Sequence, residues 1–143
     1  MSELVQISRR EFVVRSSTGI AIMLGVACVA GGIDAPALSG PVVVTVSNYA
    51  ALANVGGIVR VNETSTQVAL ERTSATTFTA FSLVCPHAGG SVQLTGSKSI
   101  PFQCPVHGAE FNASGANIGG QQTSSLHAYT AVYDATAGTV TIS

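Results

Sequence analysis

From residue 38 onward the chain is written in short apolar runs, each broken by Gly, Pro, Asn, Ser or Thr. Pro41–Ser47 is rich in valine and predicts a first strand. Asn48–Gly57 reads as turns, with one helical turn at Ala50–Ala53. Ile58–Val61 and Gln67–Glu71 follow as strands across a turn at Asn62–Thr66. Thr77–Val84 alternates, sending Phe81 and Leu83 to one face with Thr77 and Thr79. Ser91–Leu94 and Ile100–Gln103 predict a hairpin around Thr95-Gly96-Ser97-Lys98. Ala109–Asn112, Leu126–Tyr133 and Thr139–Ile142 complete the set, with turns at 113–115 and 134–138. The pattern predicts an all-β domain over 38–143 with about nine or ten short strands, and a smaller subdomain inserted near 84–117.

Composition narrows the function classes more than the fold. Charged residues make up 9% of the chain and the net charge is −1, so the basic stripe of a nucleic-acid binder is absent. Tryptophan is missing and aromatics are 6%, which leaves Val, Leu, Ile, Phe and Ala to build the core.

Two of the three cysteines and two of the three histidines fall in two short stretches, Cys85-Pro86-His87 and Cys104-Pro105-Val106-His107. Each stretch pairs one thiol with one imidazole, and glycine follows each within a few residues. Thiolate and imidazole together suit zinc, copper or iron–sulfur centres. A zinc finger sets like ligands side by side. Here unlike ligands are adjacent, which fits a two-iron cluster whose one iron takes both cysteines and the other both histidines. The predicted 91–103 hairpin would carry one such loop at each end and so set them side by side.

These loops resemble the Rieske 2Fe–2S motif, C-x-H and then C-x-x-H. The flanks agree: Cys85-Pro86-His87-Ala88-Gly89-Gly90, then Cys104-Pro105-Val106-His107-Gly108 followed by Phe111-Asn112 and Ser114-Gly115. The resemblance implies a Rieske-like antiparallel β-sandwich or barrel with an inserted cluster-binding subdomain. It implies one 2Fe–2S cluster held by Cys85, His87, Cys104 and His107, and one-electron transfer as the task. Pro86 and Pro105 would stiffen the loops, while Gly89, Gly90 and Gly108 would let backbone N–H groups approach the sulfurs.

Three departures from the bc-complex members stand out. Gly90 and Val106 occupy the places of two cysteines that form a disulfide between the loops in those relatives. Ala109 and Phe111 occupy the places of a serine and a tyrosine whose hydroxyls donate to cluster sulfurs there. The proline-containing cover loop of those relatives matches Gly119-Gly120-Gln121-Gln122, which has no proline. Missing hydroxyls imply a potential in the lower half of the Rieske span of about −150 to +300 mV.

The N-terminus has a separate grammar. Ser8-Arg9-Arg10-Glu11-Phe12 resembles a twin-arginine export signal. An apolar run from Gly19 to Ile33 follows, fifteen residues long, and Ala35-Pro36-Ala37 offers an A-x-A cleavage site. Counting from Ser16, the uncharged span is eighteen residues, enough for an anchoring helix. Residues 1–37 are therefore expected to be a twin-arginine signal or membrane anchor, with a retained anchor favoured narrowly. Cys28 lies within this run, where Gly25-Val26-Ala27-Cys28 makes a poor lipobox.

The expected protein is an exported electron carrier, periplasmic or on the outer face of the cytoplasmic membrane. It would serve as subunit or partner of a larger oxidoreductase, such as an arsenite-oxidase-like assembly, with quinol as a possible partner in a cytochrome bc-type alternative. A ferredoxin for a ring-hydroxylating oxygenase fits the loops but not the export signal. A Rieske oxygenase would need a mononuclear iron site, for which only His127 remains. His127 itself is expected to be a half-exposed sheet residue, sharing its face with Tyr129 and Tyr133.

Overall fold

A computed structural model of the chain describes residues 32–143, so the twin-arginine motif, Cys28 and the expected apolar helix lie outside the described residues. Among the described residues eleven strands form in chain order: β1 Val42–Thr45, β2 Ile58–Arg60, β3 Val68–Arg72, β4 Phe78–Ser82, β5 Gln93–Leu94, β6 Phe102–Cys104, β7 Ala109–Phe111, β8 Asn117–Gly119, β9 Ala128–Tyr129, β10 Ala131–Asp134 and β11 Thr139–Ile142. A 3-10 turn at Ala50–Ala53 falls where a helical turn is expected, while another at Val46–Asn48 ends the first strand at Thr45, short of the expected Ser47. Among the described residues no helix is long and apolar enough to cross a membrane.

The strands make three antiparallel sheets, ordered β1-β11-β10, β2-β3-β4-β9 and β5-β6-β7-β8. The second sheet lies in the middle and is buried on both faces. Val68 and Leu70 of β3, with Phe78 and Ala80 of β4, pack with Val44, Val140 and Ile142 of the first sheet. Ala69, Phe81 and Leu83 turn the other way, onto Phe102, Ala109 and Phe111 of the third. A strand pair buried on both faces reads as a continuous apolar run, which is why Val68-Ala69-Leu70 shows no alternation. Phe102 and Phe111 are cross-strand partners and fully buried, each worth about 1.5–3 kcal/mol of burial.

Three expectations are corrected. Leu126–Tyr133 is two strands, not one: β9 pairs with β4 and β10 with β11. The chain changes sheets at Thr130, whose backbone exchanges hydrogen bonds with Ser143 at 2.9 and 3.0 Å. His127 precedes β9 and is exposed; its ring meets Tyr129 as expected, with centroids 4.9 Å apart, but Tyr133 packs on Phe78 at 5.0 Å. Finally β8 was unexpected, since Asn117-Ile118-Gly119 carries no strand signal of its own; it is recruited by pairing with β7 across a register shift. The third sheet thus extends to Gly119.

Candidate metal centre

Both ligand loops are hairpin tips built to one plan. The first rises from Leu83 and Val92, joined by Val92 N–H to Leu83 C=O at 2.8 Å and a Val84–Ser91 bridge. Its Cys85 N–H donates to Gly90 C=O at 2.7 Å, and Gly89 N–H donates back to Cys85 C=O at 2.8 Å. The second is the β6–β7 turn, where Cys104 faces Ala109 and Gly108 N–H donates to Cys104 C=O at 2.9 Å. Gly89 and Gly108 take the left-handed conformation at φ 73° and 77° that lets each loop close. The two frames are therefore Cys-Pro-x-x-Gly, with histidine third in one and fourth in the other.

That offset brings the imidazoles together. His87 Nδ1 and His107 Nδ1 are 3.2 Å apart, with ring centroids at 4.7 Å and planes at 86°. Two nitrogens each about 2.0–2.1 Å from one metal ion at the tetrahedral angle stand about 3.3–3.4 Å apart, so this spacing suits shared coordination. Cys85 and Cys104 are buried beneath, each 1% exposed. Burial pushes the Cys85 thiol up; the backbone N–H groups of His87 and Ala88 pull against that rise, and the neighbouring Cys104 sulfur adds to it. A buried sulfur that resists ionisation, as Cys85 does, needs a cation to hold it as a thiolate. Among the described residues no three His, Cys, Asp or Glu side chains gather round one point. The residues present therefore fit a two-iron cluster.

His87 meets His107 and Cys85 lies beside Cys104, and the three departures take physical form. A Cβ on Gly90 would stand 3.4 Å from Val106 Cβ, so these two positions face each other across the loops. Unlike Gly89, Gly90 is not left-handed; its lack of a side chain serves the close approach to Val106 and to the Cys104 sulfur, 3.1 Å from the same point. Ala109 and Phe111 are fully buried under the sulfurs and offer no hydroxyl. Gly120 lies against the Gly108 carbonyl, so the 119–122 segment does flank the second loop, as a bare backbone.

Sequence reasoning missed what lies beside the first loop. Ile33 N–H donates to the Pro86 carbonyl at 2.7 Å, and Tyr129 Oη donates to Pro36 C=O at 2.8 Å. Nothing in the composition of Gly32–Leu38 signals this contact.

Buried thiols paired with facing imidazoles on twin hairpin tips suit an iron–sulfur electron-transfer centre. Residues 42–130 match the family model described as the Rieske [2Fe-2S] domain, and the chain belongs to that family. It accordingly holds one 2Fe–2S cluster and has a Rieske electron-transfer role. Among solved structures, the cyanobacterial plasma membrane Rieske protein PetC3 from Synechocystis PCC 6803 is similar at 22% identity and a TM-score of 0.48, over 60% of this chain and 83% of that one. No curated protein matches the chain.

Proposed function

We propose that Cys85 and Cys104 hold one iron of the cluster and that His87 and His107 hold the other through Nδ1. The observation that carries this reading is the 3.2 Å approach of the two Nδ1 atoms above two buried sulfurs. When bound, the cluster supplies a one-electron couple at a potential raised by its two neutral ligands. The chain's part is to exclude water from the sulfurs, to aim the His87 and Ala88 N–H groups at Cys85, and to leave the His107 edge open.

The electron carrier works as subunit or partner of an exported, membrane-associated oxidoreductase, a reading supported by Arg9-Arg10 and the apolar run to Ile33. Exposed His107, beside Val106 at 58% exposure, favours docking of a redox partner at this tip. Quinol is the alternative occupant. Iron and acid-labile sulfide at two each per chain, with a reduced-state EPR signal of low average g, is the expected result; stoichiometric zinc and a silent spectrum would end the reading. Cell fractionation tests the location, and a protein found wholly in the cytosol contradicts export.

A further inference from the structure

The two ligand loops share a frame but not a setting. Pro105, Val106 and His107 of the second loop are exposed. In the first loop Pro86 is buried and His87 half-buried. Residues 32 and 33 lie against the first loop. Ile33 N–H is bonded to the Pro86 carbonyl at 2.7 Å. The Ile33 side chain lies over Gly89, where an added Cβ would meet its Cγ2 and Cδ1 at 3.9 Å. Gly32 fits between Pro86 and Ser124, an added Cβ standing 3.2 Å from the Pro86 carbonyl oxygen and 3.1 Å from Ser124 Oγ. Further on, Pro36 C=O accepts from Tyr129 Oη at 2.8 Å, and Leu38 packs on the core of the first two sheets.

We propose that Gly32–Leu38 is a strap that fixes the first ligand loop to the body of the domain, with Ile33 as a positioning residue for His87. This inference rests on the reading of His87 as a ligand. The strap does by hydrogen bonding and packing, on one loop, what a covalent tie between the loops does where cysteines stand at positions 90 and 106. It satisfies a buried carbonyl within one residue of two ligands, and so holds the Cys85-Pro86-His87 peptide against rotation. Its backbone also lies over Pro86, which is buried, whereas Pro105 at the same place in the second loop is exposed. Water admitted at the first loop would stabilise the more negative, reduced state, so loosening the strap raises the potential. Ala35-Pro36-Ala37 lies within these residues, so the strap belongs to the form of the chain that keeps them.

The test uses the full chain with three substitutions. Ile33→Pro removes the N–H, Ile33→Val keeps both the N–H and the branched side chain, and Tyr129→Phe removes the second anchor while leaving its ring. Hydrogen exchange at the Gly89 and Gly108 amides reads the two loops separately, whether or not iron is bound. In Ile33→Pro the Gly89 amide should exchange at least tenfold faster while Gly108 is unchanged. The midpoint potential should move upward, Ile33→Val should behave as the parent, and Tyr129→Phe should shift both readouts the same way by less. Parent-like Gly89 exchange and potential in both Ile33→Pro and Tyr129→Phe would overturn the strap. If Ile33→Pro does not fold, Tyr129→Phe decides alone on the same readouts. A parent chain without iron and sulfide would instead overturn the ligand reading, leaving the exchange comparison to judge the strap.

Discussion

The first ligand loop, Cys85–Gly90, and the second, Cys104–Ala109, have the same backbone plan and opposite surroundings. Both close by a glycine N–H returning to the cysteine carbonyl four residues earlier. Both start Cys-Pro and place a left-handed glycine fifth. Yet one is strapped and half-buried while the other stands in solvent. The lesson is that the motif C-x-H…C-x-x-H is one loop written twice with the histidine moved by one place. With the offset, the two Nδ1 atoms meet at 3.2 Å. The strap and the exposed tip then make the pair asymmetric.

The strongest way to break this comparison is to erase the offset. Exchanging residues 87 and 88, as His87→Ala with Ala88→His, retains every ligand type but makes both loops C-x-x-H. The expected outcome is complete loss of cluster, read as iron and sulfide content, with the β-sheet circular dichroism retained. Undiminished cluster would mean that the offset carries no geometric weight.

Next in size is a covalent link between the loops. Residues 90 and 106 face each other with 3.4 Å between Cβ positions, at the short end of disulfide geometry. Gly90→Cys with Val106→Cys should form a bridge spontaneously under oxidising conditions. Closing a loop of this length contributes about 3 kcal/mol, reduced somewhat because the new Cβ must press on the Cys104 sulfur. Thiol titration and thermal unfolding with and without reductant measure it; two free thiols after oxidation would show that the loops are set farther apart.

How much of this asymmetry is legible beforehand depends on what pattern carries it. Ligand pairs and the 93–103 hairpin are visible because cysteine, histidine, proline and glycine each have a strong local meaning. Thr95 N–H duly bonds Pro101 C=O at 3.0 Å around a left-handed Gly96. The break at Thr130 is not visible, since Leu126–Tyr133 alternates smoothly and alternation does not name a strand's partner. Nor is the strap, because Gly32–Leu38 has no periodicity and its hydrogen bonds, through Ile33 N–H and Pro36 C=O, use backbone groups that carry no sequence signal. The burial of Glu71 is hidden for a related reason: an acidic residue at a strand end reads as solvated until a second sheet covers it.

Smaller effects sharpen the likeness of the loops. Gly89→Ala and Gly108→Ala each force a side chain into left-handed backbone, at about 1–2 kcal/mol. An added Cβ meets only ordinary contact at Gly89 and nothing within 4 Å at Gly108. The two variants should therefore lose equal stability by denaturant unfolding. A loss confined to one would show that the frames are not equivalent. On the electronic side, Ala109→Ser and Phe111→Tyr restore hydroxyls beneath the sulfurs. Each should raise the midpoint potential by about 60 mV or less, a factor of up to ten in the one-electron equilibrium. The parent should titrate in the lower half of the span of about −150 to +300 mV; a parent value near its top would show that the hydroxyls are not what sets the potential.

The smallest effect belongs to Glu71, which lies away from both loops and so reports on the platform they share. It sits on the face of β3 turned toward the third sheet, 6% exposed, opposite Thr79 in β4. It lines a cleft of about 400 Å³ with Ile58, Leu94 and Lys98, where the loop-joining hairpin meets the middle sheet. Its Oε2 finds no hydrogen-bond partner, and burial pushes its carboxyl above the usual range. The folded state thus binds this proton more tightly than the unfolded chain does. Its contribution is most favourable below the unfolded pKa of about 4.3 and is lost as pH rises to the elevated folded value, beyond which it stays constant. Glu71→Gln removes that dependence. The variant should match the parent in acid, exceed it modestly in unfolding free energy at neutral pH, and leave both the cluster content and the exchange rates of Gly89 and Gly108 unchanged. A pH profile identical to the parent's would mean that the carboxylate is solvated in the cleft after all. Altered exchange at only one glycine would mean that the platform, and not the strap alone, distinguishes the two loops.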